Sequence, residues 1–320
     1  MVAELLPTLR AFAIPMPVRF RGTTLRQGAL LQGPAGWGEF SPFSEYGPRE
    51  CARWLACALE AACVGWPAPV RHRVPVNVTV PAVGPEQAHA IVAGSACRTA
   101  KVKVAEPGQA LADDIARVEA VRDAIGPDGR VRVDANGLWD VAAATAALAA
   151  LSRFGLEYAE QPCATLGELA ELRRQVDVPL AADESIRRAE DPIAVRAAGA
   201  ADIIVLKAQP LGGVRTALRI AEACELPVVV SSAIDTSIGL AAGVALAAAL
   251  PELPYACGLA TMSLLAGDVT ADPLAEADGE LPVRPAVVDE QALRRYEVDA
   301  AESGWGARLL GAAEFLPDRL

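Results

Sequence analysis

The central part of the chain contains three short apolar runs that each end in a carboxylate: VRVD at 131–134, LEYAE at 156–160 and VPLAAD at 178–183. The terminal acids, Asp134, Glu160 and Asp183, follow one another after 26 and 23 residues. A strand, a helix and two loops use about that length in a β/α barrel. The spacing therefore predicts three consecutive parallel strands, each with an acid at its carboxyl end.

Three carboxylates that converge on one point repel each other unless a cation lies between them. Hard oxygen ligands with open coordination positions suit Mg²⁺ best, with Mn²⁺ as a substitute. We therefore predict that Asp134, Glu160 and Asp183 bind Mg²⁺.

The same rhythm continues on both sides of this stretch. Eight short apolar runs recur after about 23 to 31 residues, which is the period of a βα unit. They lie at 76–80, 99–104, 131–135, 157–160, 178–183, 203–207, 227–231 and 254–257. Alanine-rich helical patterns lie between them at 85–94, 109–125, 141–153, 166–174, 189–198, 213–224 and 236–249. The pattern predicts an α/β fold, a modified (β/α) barrel. An open doubly wound sheet is the main alternative, but the glycine fingerprint expected after its first strand is missing.

The two ends of the chain do not follow this rhythm. Strands are predicted at 6–15, 20–32 and 36–40 and a helix at 48–64, while residues 280–320 read as strands and turns. We expect residues 1–73 and 276–320 to form an α+β capping domain, and residues 74–275 to form the barrel.

Composition limits the kinds of partner. The net charge of −11 and the pI of about 4.8 argue against nucleic acid or an anionic membrane as a partner. Seven cysteines without a CxxC pair indicate reduced thiols in a cytoplasmic protein. The N-terminus does not resemble a signal peptide, and no apolar run is long enough to span a membrane. We expect a monomer that binds a small-molecule carboxylate, with a homo-oligomer left open.

Two lysines lie in the second predicted strand, where Lys101 and Lys103 alternate with valines. Strand side chains alternate between faces, so both lysines should point into the barrel and both valines towards the helices. A buried lysine is rare unless it has a function. A free lysine has a pKa near 10.4, and a second ammonium nearby favours the neutral amine that a general base requires. We assign the base to Lys103, nearer the rim, and expect Lys101 to tune it and to contact a substrate carboxylate.

A third lysine, Lys207, ends the sixth apolar run. The metal ligands fall on strands three to five of the predicted barrel, so Lys103 on strand two and Lys207 on strand six should flank the metal. Such an arrangement suits removal of a proton next to a carboxylate, since the metal stabilises the enediolate that forms.

The order of Lys-x-Lys, Asp, Glu, Asp and Lys on successive strands resembles the enolase superfamily, muconate-lactonizing subgroup, over nearly the whole chain. That superfamily is a known case of a lysine or histidine base working with Mg²⁺. The resemblance implies a capping domain made from both termini, Asp134, Glu160 and Asp183 as Mg²⁺ ligands, and Lys103 and Lys207 as the catalytic lysines.

Three further stretches, VLKAQPLGG at 205–213, SSAIDTS at 231–237 and ACGLAT at 256–261, narrow the resemblance. They are similar to members that dehydrate 2-succinyl-6-hydroxy-2,4-cyclohexadiene-1-carboxylate in menaquinone biosynthesis. The resemblance implies a syn elimination in which Lys103 removes the α-proton and returns it to the departing hydroxyl. Lys207 would stay protonated against the ring. The implied substrate contacts are Lys101, Ser231, Ser232, Gly258 and Leu259.

Other functions remain open on the sequence alone. An N-acylamino acid racemase or a dipeptide epimerase would use the same metal and both lysines. A non-catalytic ligand-binding barrel, or a Schiff-base aldolase barrel that needs no acid trio, are alternatives from other classes.

Overall fold

A small antiparallel sheet and a helix form the first part of the chain. The computed structural model describes residues 2–20, 22–187 and 192–316. The chain begins with α1 (Val2–Leu5), a 3₁₀ turn (Leu6–Thr8), β1 (Arg10–Phe20), β2 (Thr23–Gly33), β3 (Gly36–Phe40), α2 (Pro48–Leu59) and a π-helical continuation (Glu60–Val64). The strand predicted at 6–15 therefore begins four residues later, because the apolar residues before Arg10 are helical.

Eight strands form the predicted barrel. They are β4 (Arg73–Val80), β5 (Thr99–Lys103), β6 (Arg130–Asp134), β7 (Leu156–Glu160), β8 (Leu180–Ala182), β9 (Ile203–Leu206), β10 (Val228–Val230) and β11 (Cys257–Ala260). Neighbours pair in parallel along the order β10-β9-β8-β7-β6-β5-β4-β11. A parallel bridge between Ser231 and Gly258 joins the two ends of this order. The modified barrel is thus confirmed, and the open-sheet alternative is wrong.

The last barrel strand is displaced from its prediction. The sequence predicts the strand at 254–257, but β11 begins where that run ends, at Cys257. Pro254 and Tyr255 lie before the strand, and Gly258 lies inside β11.

The register of the strands brings the site residues to one level. Lys103 pairs with Asp134, Asp134 with Glu160, and Glu160 with Ala181. Asp183 lies two residues after Ala181, directly after the end of β8. If the strand is continued by one residue, its side chain points to the same side as that of Ala181. The carboxyl ends of β5 to β8 consequently present one lysine and three acids together.

Helices surround the barrel: α3 (Pro85–Ala93), α4 (Leu111–Ile125), α5 (Val141–Leu151), α6 (Leu166–Arg173), α7 (Glu184–Arg187), α8 (Ala194–Ala197), α9 (Val214–Cys224) and α10 (Ser237–Ala249). Short 3₁₀ turns lie at Ser152–Phe154 and Met262–Leu264. The helix predicted at 189–198 is described only as α8, and part of that prediction (189–191) lies outside the described residues. Small residues in α10 let it pack between the barrel and the first sheet, so nearly all of it is buried.

The C-terminal part returns to both earlier parts of the fold. It contains β12 (Glu280–Pro282), α11 (Glu290–Arg294), β13 (Glu297–Val298) and α12 (Trp305–Ala313). β12 pairs with β4, and β13 pairs with β1. The prediction of strands and turns alone was wrong, because α12 buries Trp305, Leu309 and Ala312 and packs on α2. The domain boundaries at 73/74 and 275/276 stay a prediction.

The fold buries two main apolar cores, one around the barrel and one between the first sheet, α2 and α12. None of the seven cysteines, all of which lie in the described ranges, is part of a disulfide, and all but Cys63 are buried. In the described ranges, no helix has the length and apolar character needed to cross a membrane.

Candidate active site

Three acids and three lysines meet inside the carboxyl end of the barrel. The acids Asp134, Glu160 and Asp183 are each at most 1% exposed. Lys101 and Lys207 are buried and Lys103 is nearly so. The alternation of β5 confirms the expectation that Val102 and Val104 pack into the outer core. The chain has only three lysines, and all of them lie here.

Lys101 lies between two of the acids. Its Nζ is 3.0 Å from Oδ2 of Asp134 and 2.9 and 3.0 Å from the two carboxylate oxygens of Glu160. Lys101 also lines the small cavity of the site, and its contact with a substrate carboxylate stays a prediction.

Lys103 approaches the trio from one flank. Its Nζ lies 2.5 Å from Oδ2 of Asp134 and 2.6 Å from Oδ1 of Asn136, and the ring of Phe20 lies over it at 5.2 Å. Asn136 also donates to Glu184. The amide of Asn136 thus orients the amine that was assigned as the base.

Lys207 occupies the other flank. Its ammonium donates to Oδ2 of Asp183, and the guanidinium of Arg187 donates to Oδ1 of the same carboxylate at 3.1 Å. Arg187 further contacts Glu184 and the hydroxyl of Tyr46 at 2.5 Å each. Asp183 is therefore held by two cations, and Tyr46 connects this flank to the loop before α2.

Burial and charge set the protonation of the acids. Burial favours the neutral form of Asp134, but Lys101 and Lys103 outweigh it and hold its pKa well below the ordinary value. Lys207 and Arg187 likewise lower the pKa of Asp183 against the effect of burial. Burial, followed by the charge of Asp134, raises the pKa of Glu160 to about 7. Glu160 is thus the acid with the least neutralised charge.

The lysines respond in opposite directions. Burial alone would lower the pKa of Lys101, but the charges of Asp134 and Glu160 raise it well above the ordinary value. The pKa of Lys207 is lowered, first by burial and also by the charge of Arg187, although Asp183 opposes the shift. Lys101 is therefore a fixed cation, and Lys207 loses its proton more readily than an exposed lysine does.

The acid trio suits a hard divalent cation. Three buried carboxylates supply oxygen donors, and burial together with the charge of Asp134 leaves Glu160 with a raised pKa although Lys101 lies beside it. In the described part of the chain, no three acid, histidine or cysteine side chains form a closed metal-ligand cluster. The ammonium groups of Lys101, Lys103 and Lys207 neutralise the acids instead.

A small cavity of about 30 Å³ adjoins the three lysines, enough for roughly one water molecule. Ser231, Ser232 and Gly258 line it, and their contact with a substrate stays a prediction. The lining also includes residues that sequence reasoning missed: Phe20, Thr79, Asn136, Ala233, Ile234 and Thr261. Leu259 does not line it, because its side chain packs against Gly243 of α10. Any contact of Leu259 with a ligand would have to come from its backbone.

The site residues that the sequence analysis missed differ in how easily the sequence could have revealed them. Asn136 and Arg187 follow Asp134 and Asp183 by two and four residues, so spacing could have found them. Phe20 and Tyr46 come from the first part of the chain, and no local pattern connects them to the barrel.

A wider groove of about 680 Å³ lies between α3 and residues 260–276. It shares Thr79 with the small cavity but contains none of the three acids or three lysines. The charged groups, and not the amount of space, therefore identify the candidate active site.

These features define a class: a (β/α) barrel with an acid trio between two lysines, capped by an α+β layer. Residues 85–289 match the enolase C-terminal domain-like family, and residues 11–62 match the enolase N-terminal domain-like family. The chain belongs to the enolase superfamily, whose members use a divalent metal ion.

Relatives narrow the assignment to one branch. The chain is 69% identical over 305 residues to o-succinylbenzoate synthase of Thermobifida fusca (strain YX), covering 95% of this chain and 96% of the relative. It is 56% identical over 304 residues to o-succinylbenzoate synthase of Mycolicibacterium smegmatis, covering 94% of both. Within the superfamily it groups with these enzymes, as the motifs at 205–213, 231–237 and 256–261 predicted.

Solved structures agree on the fold. The muconate lactonizing enzyme from Pseudomonas fluorescens complexed with muconolactone superposes with a TM-score of 0.80 at 21% identity, covering 91% of this chain and 98% of that one. An N-succinyl Arg/Lys racemase from Bacillus cereus gives a TM-score of 0.78 at 19% identity, covering 91% and 97%. At this level of identity the likeness establishes the architecture alone.

Proposed function

We propose that the chain is an o-succinylbenzoate synthase. It would catalyse syn dehydration of 2-succinyl-6-hydroxy-2,4-cyclohexadiene-1-carboxylate to o-succinylbenzoate, with Mg²⁺ as the metal, in the cytoplasm. The observation that carries the proposal is that Lys103 and Lys207 flank three buried acids, in a chain 69% identical to an enzyme of that name. The seven cysteines, none of which forms a disulfide in the described ranges, support the reducing compartment.

The acids and the lysines of the site have different proposed roles, which follow from their positions. Asp134, Glu160 and Asp183 would hold Mg²⁺, which supplies positive charge for the enediolate that forms when the α-proton leaves. Lys103, beside the cavity and oriented by Asn136, removes that proton. Its ammonium then returns the proton to the departing hydroxyl on the same face, so one residue serves both half-steps of a syn elimination.

Lys207 provides charge on the opposite flank. Its ammonium is fixed by Asp183, lines the cavity, and faces the ring of the intermediate as a cation. Ser231, Ser232 and Gly258, at the ends of β10 and β11, contact the succinyl arm.

The nature of the cavity lining restricts the substrate class. It contains three lysines and several hydroxyl groups, and Asp134 is its single carboxylate among the described residues. Asp134 is already bonded to Lys101 and Lys103. A dipeptide with a free ammonium would therefore find no carboxylate partner, whereas an anionic substrate fits.

A second candidate function is N-acylamino acid racemisation. The observation in its favour is that Lys103 and Lys207 lie on opposite flanks of the acids, because racemisation needs one lysine at each face of the substrate. The N-acyl group removes the ammonium that excludes a dipeptide.

One experiment separates the candidates. Purified protein is incubated with the cyclohexadiene substrate, with and without Mg²⁺, and loss of diene absorbance is followed. A parallel incubation with an N-acylamino acid in deuterium oxide follows α-proton exchange by NMR. Metal-dependent loss of absorbance supports dehydration. Exchange without dehydration would support the racemase, and borohydride trapping of activity that survives EDTA would support a Schiff-base enzyme instead.

A further inference from the structure

A buried polar network connects the first sheet to the wall of the cavity. Its members are Arg26 on β2, Glu39 on β3, Ser41 just after β3, and Asp235 and Thr236 before α10. Each is at most 4% exposed. Burying a polar side chain is costly unless it is hydrogen-bonded. The hydrogen-bond partners of these five residues therefore show which segments the network fixes in place.

Glu39 binds the start of α10. One carboxylate oxygen accepts the backbone N–H groups of Thr236 at 3.2 Å and Gly239 at 3.0 Å, and also the Thr236 hydroxyl. The other oxygen accepts the hydroxyl of Ser41 at 2.6 Å. A carboxylate at a helix N-terminus satisfies donors that have no partner within the helix.

Arg26 holds the residue before that helix start. Its Nε donates to the carbonyl of Ile234 at 2.7 Å, and its Nη2 donates to the carbonyl and hydroxyl of Ser41 at 2.6 and 2.8 Å. Ile234 has a φ of 62°, a left-handed conformation that a β-branched residue rarely adopts. Such a residue keeps its shape only where neighbours over-determine it, and Arg26 is one of those neighbours.

The barrel fixes the same loop from the other side. Asp235 accepts the N–H of Ala233 at 3.1 Å and the side-chain amide of Gln209 at 2.7 Å. Gln209 follows Lys207 by two residues. A Cβ atom on Gly239 would lie within 3 Å of Gln209, Glu39 and Asp235, so the three side chains converge on a glycine.

The held loop is part of the active site. Ser231, Ser232, Ala233 and Ile234 all line the cavity beside Lys103 and Lys207. The first sheet therefore fixes, through Arg26 and Glu39, the surface that faces the substrate. The contact from Arg26 ends on Ile234, a residue with a strained backbone that lines the cavity, and so it acts on the shape of the Ser231–Ile234 wall.

We propose that Arg26 and Glu39 are positioning residues that hold the Ser231–Ile234 wall in the shape required by the succinyl-bearing substrate. The proposal rests on the proposed function. Neither residue lines the cavity, so each acts through Ile234 and Thr236 and not on the reacting atoms.

The test compares two arginines that bind carbonyls at opposite ends of α10. Arg26→Met removes the contact at the active-site end. Arg71→Met is the control, because Arg71 donates to carbonyls of Ala247, Leu250 and Pro251 at the far end of the helix. Arg26→Lys, which keeps one donor for Ile234, is the conservative variant. All are assayed as full chains with Mg²⁺.

We expect Arg26→Met to raise the KM for the cyclohexadiene at least about tenfold, since small displacements of positioning groups cost one to two orders of magnitude. Arg26→Lys should recover part of that loss, and Arg71→Met should keep kcat and KM within about twofold of wild type. A folded Arg26→Met protein with unchanged KM and kcat overturns the proposal. If that protein does not fold, Glu39→Gln and Arg26→Lys give the same comparison.

Hydrogen exchange supplies a readout that needs no substrate. Amides of residues 232–236 should exchange at least about tenfold faster in Arg26→Met than in wild type, and at the wild-type rate in Arg71→Met. Equal exchange in the two variants overturns the proposal. If the wild-type protein does not dehydrate the substrate, the proposed function is wrong. The hydrogen-exchange comparison still tests whether Arg26 fixes the Ser231–Ile234 wall.

Discussion

The ammonium of Lys101 lies against both carboxylate oxygens of Glu160, with Nζ–Oε distances of 2.9 and 3.0 Å. Both side chains are at most 8% exposed, so neither charge is relieved by water. Lys101 is thus the buried cation that hydrogen-bonds Glu160, and burial raises the pKa of Glu160 to about 7. This arrangement makes the protein's stability depend on Lys101, on the divalent metal, or on both.

We therefore expect Lys101→Met to lower the free energy of unfolding in EDTA by about 3–5 kcal/mol, because it leaves buried carboxylates without their partner. Added Mg²⁺ should recover part of the loss, since binding to the folded state stabilises it. Urea unfolding with and without metal measures both effects. Arg73→Met, which breaks the half-exposed pair with Glu280, should cost at most about 1 kcal/mol. Equal losses in the two variants would contradict the assigned role of Lys101.

Lys103→Ala should lower kcat by about 10²–10⁴-fold, the usual contribution of a positioned proton-transfer group. Lys207→Ala should lower kcat by about 10²–10³-fold, because it removes a buried cation that stabilises the charge of the intermediate. Far-ultraviolet circular dichroism should stay unchanged, because both side chains lie at the rim and not in the apolar core. Asn136→Ala should show a smaller loss than Lys103→Ala, since it removes only an orienting contact. Near-normal turnover by Lys103→Ala would show that another group is the base.

Metal binding can be followed on the lysines themselves. Because the chain contains only Lys101, Lys103 and Lys207, protein labelled with ¹⁵N-lysine reports on this site alone. Mg²⁺ should shift all three side-chain signals, since each ammonium contacts a predicted ligand. Asp183→Asn removes one carboxylate charge and should raise the Mg²⁺ concentration for half-maximal shift about tenfold or more. If the lysine signals do not shift on addition of Mg²⁺ although activity requires Mg²⁺, the metal binds at another site.

Local periodicity in the sequence was enough to predict the charged centre of the site. The βα period placed Asp134, Glu160 and Asp183 at neighbouring strand ends, and alternation turned Lys101 and Lys103 inward. Periodicity could not place the contacts between Glu39 and Thr236 or Arg26 and Ile234, because these join segments about 200 residues apart.

Two errors have physical causes. The last barrel strand was predicted at 254–257 but lies at Cys257–Ala260, where it includes a glycine. Gly258 fits there because a Cβ atom at that position would lie within 3 Å of the Ser231 hydroxyl. Helix α12 was missed because its stability comes from packing on α2. Tertiary contacts decide both cases, and a single sequence shows them poorly.

Glu39 should make stability depend on pH. Burial, followed by the charge of Asp235, raises the pKa of Glu39 to about 7, although Arg26 opposes the shift. A raised carboxyl pKa means that the folded state prefers the neutral form. Its contribution is therefore complete below about pH 4.5 and is lost as pH rises through 7, by on the order of 3 kcal/mol.

Glu39→Gln cannot ionise, so the difference in unfolding free energy between wild type and this variant should fall from pH 5 to about pH 7 and level off towards pH 8. Urea unfolding at half-unit steps, in EDTA, measures that difference and cancels the titration of other groups. Glu297→Gln is the matched control. Arg10 lowers the pKa of Glu297 through a side-chain hydrogen bond, so its contribution is lost only as pH falls below the ordinary range. Between pH 5 and pH 8 the control difference should stay flat, and a flat difference for Glu39→Gln as well would show that Glu39 is ionised throughout.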